Sequence, residues 1–245
     1  MATNRCDRYI FTSDEFLDST ALSREDGYRT EPSGEDAMDE DIFPAPEPYW
    51  IPKDPKKIRQ RIRQYERSLE KEKRSYGTYG DGYGKRFLLG PLYMIMGDLQ
   101  GALRSFDWFE TEFTDGTDDA PQLLCWSLAL HQVGDNLEAR LKLRRTMLAN
   151  LYVIPRLLGI EVTRYDISHG SNLEEPGFLS WIPDEYWGLW SDSDRDWADA
   201  LWNGKEFRDA RNRYIELGHA LKDLKPGPER SRVIAEMSRL RDDGI

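Results

Sequence analysis

Residues 90–106 read GPLYMIMGDLQGALRSF, and residues 127–143 read SLALHQVGDNLEARLKL. In each, an apolar helical pattern stops at a Gly-Asp pair, Gly97-Asp98 or Gly134-Asp135. It then restarts with a small residue, Ala102 or Ala139, five positions after the glycine. The chain therefore writes helix, turn, helix twice, and this pair of hairpins decides the fold class.

Leu89, Gly90, Tyr93, Gly97, Ala102 and Phe106 form the first unit, and Leu123, Trp126, Leu130, Gly134, Ala139 and Leu143 take the corresponding places in the second. Small residues let two antiparallel helices approach closely, while the larger ones fill the space between them. This spacing resembles the tetratricopeptide repeat. Ala102 and Ala139 are 37 residues apart, against a family period of about 34, so about three residues are inserted, placed in FTDGTDD, residues 113–119. The chain departs from the family at Ser127, which replaces the first-helix glycine, and at Pro91, which should kink the first helix; the usual proline after the second helix is absent. Leu148 to Asn150 and Ile154 to Gly159, an alanine-asparagine run leading into isoleucine-proline and leucine-leucine-glycine, resemble the end of the repeats in bacterial proteins distantly related to the suppressor of tumorigenicity seven family. That resemblance implies an interaction module without a catalytic site.

Outward from the repeats, the 245-residue chain is unevenly charged. Residues 1–48 hold 13 acidic and four basic side chains, and residues 53–74 hold ten basic and four acidic ones, within a net charge of -11. An acidic segment thus precedes a basic helix. Either both are solvated surfaces, or the segment lies across the helix and tunes access to it. Composition reads residues 12–48 as disordered. PAPEPYWIPKDP, residues 44–55, has five prolines and excludes regular structure. Asp54 then offers an N-cap and Pro55 a first helical position, and Ile58, Ile62, Tyr65 and Leu69 draw one apolar stripe on a charged helix. The glycine-rich YGTYGDGYG beyond that helix lacks a Gly-Lys-Ser/Thr ending and a preceding strand, so it reads as a connection rather than a phosphate loop.

Beyond Gly159, IEVTRYDIS alternates enough to suggest one short strand. Five of the eight tryptophans fall between Trp181 and Trp202. Such a cluster is either core or a recognition surface, and both readings are open. Three further helices are expected: one from Ser193 or Asp194 to Gly204, one carrying Phe207, Ala210, Tyr214, Leu217, Leu221 and Leu224, and one from Pro228. Two repeats are too few for a solenoid, which needs about three units. The flanking helices must close its ends. The expected architecture is all-α, a short tetratricopeptide-like helical-hairpin solenoid of about eight helices. An irregular arm and linker take residues 1–53 and one helical domain residues 54–245, in which 54–75 is a basic capping helix, 83–151 the two hairpins, 160–192 an aromatic-rich irregular segment and 193–245 the C-terminal helices.

The family's pattern places a peptide groove on the inner face of the first helices, here Phe87, Pro91, Met94, Ile95, Leu124, Leu128, His131 and Gln132. It lacks the Lys, Arg and Asn that chaperone-binding members use to clamp a carboxylate. The expected contact residues are Phe87, Met94, Leu124, Leu128 and His131, with Trp187 and Trp190 from the aromatic segment. An apolar face of this width needs a cover, from the chain itself or from a protein or peptide partner.

Three histidines, His131, His169 and His219, show no metal-ligand spacing, and His169 in a turn-like DISHGSN is the one expected to be exposed. GxSxG, HExxH and P-loop motifs are absent, and carboxylates such as those of SDSDRD read as caps and surface. No enzyme, metal or cofactor is expected. Cys6 and Cys125 read as free thiols. The alternative to an adaptor or regulatory subunit is a nucleic-acid-binding accessory protein that uses the basic helix 55–74. Arg59, Arg61, Arg63 and Arg67 would hold phosphates there, with Arg140, Lys142, Arg144 and Arg145 as a second patch. The acidic pI of about 4.9 opposes it. With no apolar run long enough for a membrane span and no apolar leader, the expected location is the cytoplasm.

Overall fold

A computed structural model describes residues 51–79, 84–113 and 118–242. The chain divides into Met1–Glu47 and Pro48–Ile245, and the described residues belong to the second unit. The acidic arm, most of the proline-rich linker, part of the glycine-rich connection and most of the FTDGTDD insertion lie outside them.

The described residues are all-α, with no strand. Helix α1 spans Pro55–Tyr76 and begins as its sequence requires: the Asp54 carboxylate accepts from the Lys56 N–H at 2.9 Å, and Pro55 sits where no intrahelical N–H is needed. It stops at Gly77, whose φ of 73° permits the N–H to reach the Lys73 carbonyl. Ile58, Ile62 and Leu69 are its buried stripe.

The two hairpins come next, as α2 (Lys85–Ile95) with α3 (Leu99–Glu112), and α4 (Ala120–Gln132) with α5 (Asn136–Ala149). Their turns share one construction. Gly97 and Gly134 take positive φ, of 70° and 84°, and the following aspartates cap the next helix through Gly101 N–H at 2.8 Å and Glu138 N–H at 3.3 Å. Helix α2 packs on α3, α4 on α5, and the first helices α2 and α4 on each other, while α3 also meets α4 and α1 meets α2. Pro91 lies inside α2, which continues to Ile95. Gly90 marks the closest crossing: a Cβ there would lie 2.1 Å from Cε1 of Phe106. The Phe106 ring in turn stacks on Trp126 at 5.2 Å and 8°. In the second hairpin Ser127 stands at the glycine's place and Leu143 at the phenylalanine's, both without exposed surface. Every residue from Ala120 to Ala129 is buried, so α4 is enclosed on all sides rather than amphipathic.

The C-terminal part contains α6 (Val153–Leu158), 3₁₀ turns at Asn172–Glu174 and Pro176–Trp181, α7 (Asp184–Gly188), α8 (Asp192–Asn203), α9 (Lys205–Asp223) and α10 (Pro228–Asp242). Among the described residues ten α-helices stand where about eight are expected, because α6 and α7 are too short to show a period. Helix α8 starts one or two residues earlier than its apolar pattern suggests, at a Ser191–Asp194 capping box.

The short strand expected in IEVTRYDIS is absent. Its backbone finds partners elsewhere: Tyr165 N–H donates to the Tyr152 hydroxyl at 2.9 Å, and Ser168 N–H to the Gly218 carbonyl of α9 at 3.0 Å. Buried Ile167 fills the space left by Gly218, where a Cβ would come within 2.9 Å of its own. Arg195 joins three elements of this region by donating to the carbonyls of Leu157, Trp187 and Trp190. Those carbonyls lie at or just beyond the ends of α6 and α7, where intrahelical donors run out.

Candidate functional site

The expected groove is occupied by the chain itself. Leu124 and Leu128 have no exposed surface and Met94 is buried, because α4 lies beneath α2, α3 and α5. None of the three can contact a partner. Trp190 is buried too, and Trp187 is half-buried with its carbonyl taken by Arg195. His131 stacks on Trp197 with centroids 4.0 Å apart, and its ring nitrogens face Asn136 and Asp194 at 3.3 and 3.8 Å. It fastens α4 to α8 rather than facing outward. Of the seven expected contact residues, Phe87 remains at an open site. His169, expected to be exposed, is instead enclosed beside Tyr152 and Glu175, with an 8%-exposed side chain; His219 is the exposed one.

That open site is a cavity of about 250 Å³ at the N-terminal ends of α2 and α4. Gly84, Phe87 and Leu88 come from the first hairpin, and Asp119 and Pro121 from the start of α4. The segment after the repeats supplies Leu173, Phe178, Trp181, Ile182, Pro183 and Tyr186, so the aromatic-rich stretch that covers the repeats also builds the far wall. Leu173 and Trp181 keep 44% and 39% of their surface exposed, and both lie on the lining of this one cavity.

Asp119 supplies the carboxylate of this cavity. Its Oδ1 accepts from the Gln122 N–H at 2.8 Å as the N-cap of α4, while Oδ2 has no donor among the described residues. Burial pushes this carboxyl up to about 6, reinforced by neighbouring Asp118; the Gln122 N–H and the Arg86 charge pull the other way. Asp118 itself is paired with Arg145 at 2.5 Å, and the Arg86 guanidinium lies over the rings of Phe87 and Phe113, 4.6 and 4.5 Å from their centroids. Nothing in the sequence pattern marks Asp119 as other than a helix cap before Pro121.

The cationic residues separate into two kinds. Arg140 pairs with Glu206 at 3.1 Å, Lys142 with Glu110 at 2.5 Å and Arg145 with Asp118, while Arg144 is buried and partnered. Lys142 also lies 3.7 Å over the Trp126 ring, and its side chain is only 4% exposed. The second basic patch expected from sequence is therefore internal structure, since its charges are spent holding α5 to its neighbours. On α1 the outcome differs. At 3.6 residues per turn, Lys56, Arg59, Arg63 and Arg67 fall in one exposed row, and no carboxylate of the described residues pairs with them. Arg61 falls outside that row, is half-buried and has a partner of its own.

Among the described residues no group of three His, Cys, Asp or Glu side chains could hold a metal ion, and no helix is long and apolar enough to cross a membrane. Cys125 is buried and unpaired, and burial raises its thiol pKa far above the usual range, which leaves it unreactive. No family model, characterised protein or solved structure gives a match to this chain.

Proposed function

We propose that this chain is a non-catalytic, tetratricopeptide-like interaction module, an adaptor or regulatory subunit that holds a protein or peptide partner at the cavity between the first helices and the aromatic segment. One observation carries the reading: an apolar cavity of about 250 Å³ rimmed by exposed Leu173 and Trp181. Exposed aromatic and aliphatic side chains around a concave site are the composition of an interface centre. The likeness to the repeat family is supported by the stacked hairpins, in which α2 and α4 lie side by side and each is followed by its antiparallel partner.

The test is affinity purification of the full chain beside two variants. Trp181→Glu places a charge on the rim, and Val133→Glu does so at the exposed α4–α5 turn, away from the cavity. A protein recovered with the wild type and Val133→Glu, and lost from Trp181→Glu, supports the module. Equal recovery from all three removes the cavity as its contact surface. Leu128→Glu is no test, because a charge at a side chain with no exposed surface unfolds the core.

A second reading rests on the exposed row Lys56, Arg59, Arg63 and Arg67, which a nucleic-acid backbone fits. Binding of single-stranded RNA that weakens steeply with salt, and whose salt slope shrinks when Arg59, Arg63 and Arg67 become Gln, supports an accessory role on nucleic acid. Unchanged slopes exclude that row. The net charge of -11 works against it over long range.

A further inference from the structure

We infer that the cavity takes one basic side chain, a lysine or arginine of a partner peptide, with its methylene stem along Phe87, Phe178 and Trp181 and its head group on the Asp119 carboxylate. This rests on the reading of the cavity as the contact site and names what enters it.

The walls and the carboxylate make opposite demands that few ligands meet together. A purely apolar side chain would bury Oδ2 of Asp119 with no donor, leaving a carboxylate stripped of water and unpaired. An acidic side chain would add repulsion. A long basic side chain satisfies both demands, because its stem is apolar and its tip is a strong donor. The Trp181 and Phe178 rings are also surfaces on which a cation is stabilised. A cavity of about 250 Å³ has room for one long side chain. The exposed apolar rim at Leu173 and Trp181 is left for the residues that flank it, which favours a peptide over a free amine.

Neighbouring charges leave the role open to a newcomer. Asp118 is engaged by Arg145; Arg86 lies over the phenyl rings, has a partner of its own and adds its charge to the surroundings of Asp119; and among the described residues the Gln122 N–H is the donor that the Asp119 carboxylate receives, at Oδ1. At long range the net charge of -11 attracts basic segments and repels acidic ones.

The test uses the full chain, isotope-labelled, and four fluorescent five-residue peptides that place Arg, Lys, citrulline or Glu between leucines. Anisotropy reads affinity, and the Trp181 indole N–H signal reports occupancy of the cavity. The Arg and Lys peptides are expected to bind and shift that signal. Citrulline, isosteric with Arg but neutral, should bind about ten-fold more weakly or worse, the size of one charge-assisted hydrogen bond. The Glu peptide should not bind. Asp119→Asn keeps a good helix cap and should lower Arg binding to the citrulline level, whereas Trp181→Ala should weaken every peptide. Equal affinity for Arg and citrulline, with the Trp181 signal shifted by both, overturns the basic side chain while sparing the cavity as an apolar site. Failure of all four peptides to move the Trp181 signal overturns the inference, and the co-purification comparison then decides the module reading by itself.

Discussion

Gly90→Ala is the sharpest probe of the hairpin crossing. The new Cβ would sit 2.1 Å from Cε1 of Phe106 and 2.5 Å from its Cζ, where carbon atoms prefer about 3.5–4.0 Å. Phe106 has nowhere to go, since it has no exposed surface and lies flat on Trp126. Overpacking of this kind costs about 1–3 kcal/mol, and a displacement well over 1 Å belongs at the upper end. Replacing a mid-helix glycine returns about 1 kcal/mol through helix propensity. The net loss is therefore about 2 kcal/mol. Phe106→Leu alone should cost about 1–2 kcal/mol as a large-to-small change in a filled core. Together the two changes approach the pairing the second hairpin already carries, Ser127 with Leu143, so the double variant should be at least about 1 kcal/mol more stable than the sum predicts. Urea unfolding followed by circular dichroism and tryptophan fluorescence measures all four corners of the cycle. Additivity within about 0.5 kcal/mol would mean that the Gly90–Phe106 contact does not set the crossing.

The carboxyl of Asp119 stands at about 6 in the fold against 3.8 for an ordinary aspartate, so the folded chain holds its proton more tightly. Its destabilising contribution is fully present above pH 6 and fades as the pH falls toward 3.8; wild type should gain on Asp119→Asn over that window, by up to about 3 kcal/mol. Chemical denaturation of both proteins from pH 7.5 to 4.5 reads the difference, and a flat difference refutes the burial argument. Arg195→Met keeps the bulk but removes the donors to Leu157, Trp187 and Trp190. The Trp187 carbonyl keeps the Trp190 N–H at 3.4 Å, but those of Leu157 and Trp190 lose their donor, which should cost about 2–4 kcal/mol, seen as a lowered thermal midpoint, and a loss below 1 kcal/mol would show that water replaces the guanidinium.

The helical hairpins and their order are legible in the sequence because the constraints on them are local. Gly97 and Gly134 need positive φ, Asp98 and Asp135 cap α3 and α5, and small residues mark the crossing; each leaves its trace within a few positions. The site is less legible because it depends on what covers a face. Periodicity shows that Leu124 and Leu128 are apolar but not that α2, α3 and α5 enclose them, and so a buried seam reads like a groove. Charge has the same limit: Lys142 and Arg145 look like a surface patch until Glu110 and Asp118 are brought beside them by residues far away in sequence. Phe87 and the aromatic segment could be suspected from composition, whereas Asp119 and Leu173 carry no signal until the fold sets them on one cavity.

The enclosure of α4 also governs how the protein comes apart. An end helix can fray and re-form alone, but a helix buried on every side loses its surroundings only when they all let go. The amides of Leu124 to Ala129 should therefore exchange with solvent deuterium at the slowest rates in the chain, through global unfolding, while those of α10, whose residues are mostly exposed, exchange through local opening. The same dependence makes the two hairpins a single cooperative unit. A fragment that ends before α4 has lost its central partner, and one that begins at α4 presents that helix's apolar surface to water, so neither hairpin can be cut out as an independent module.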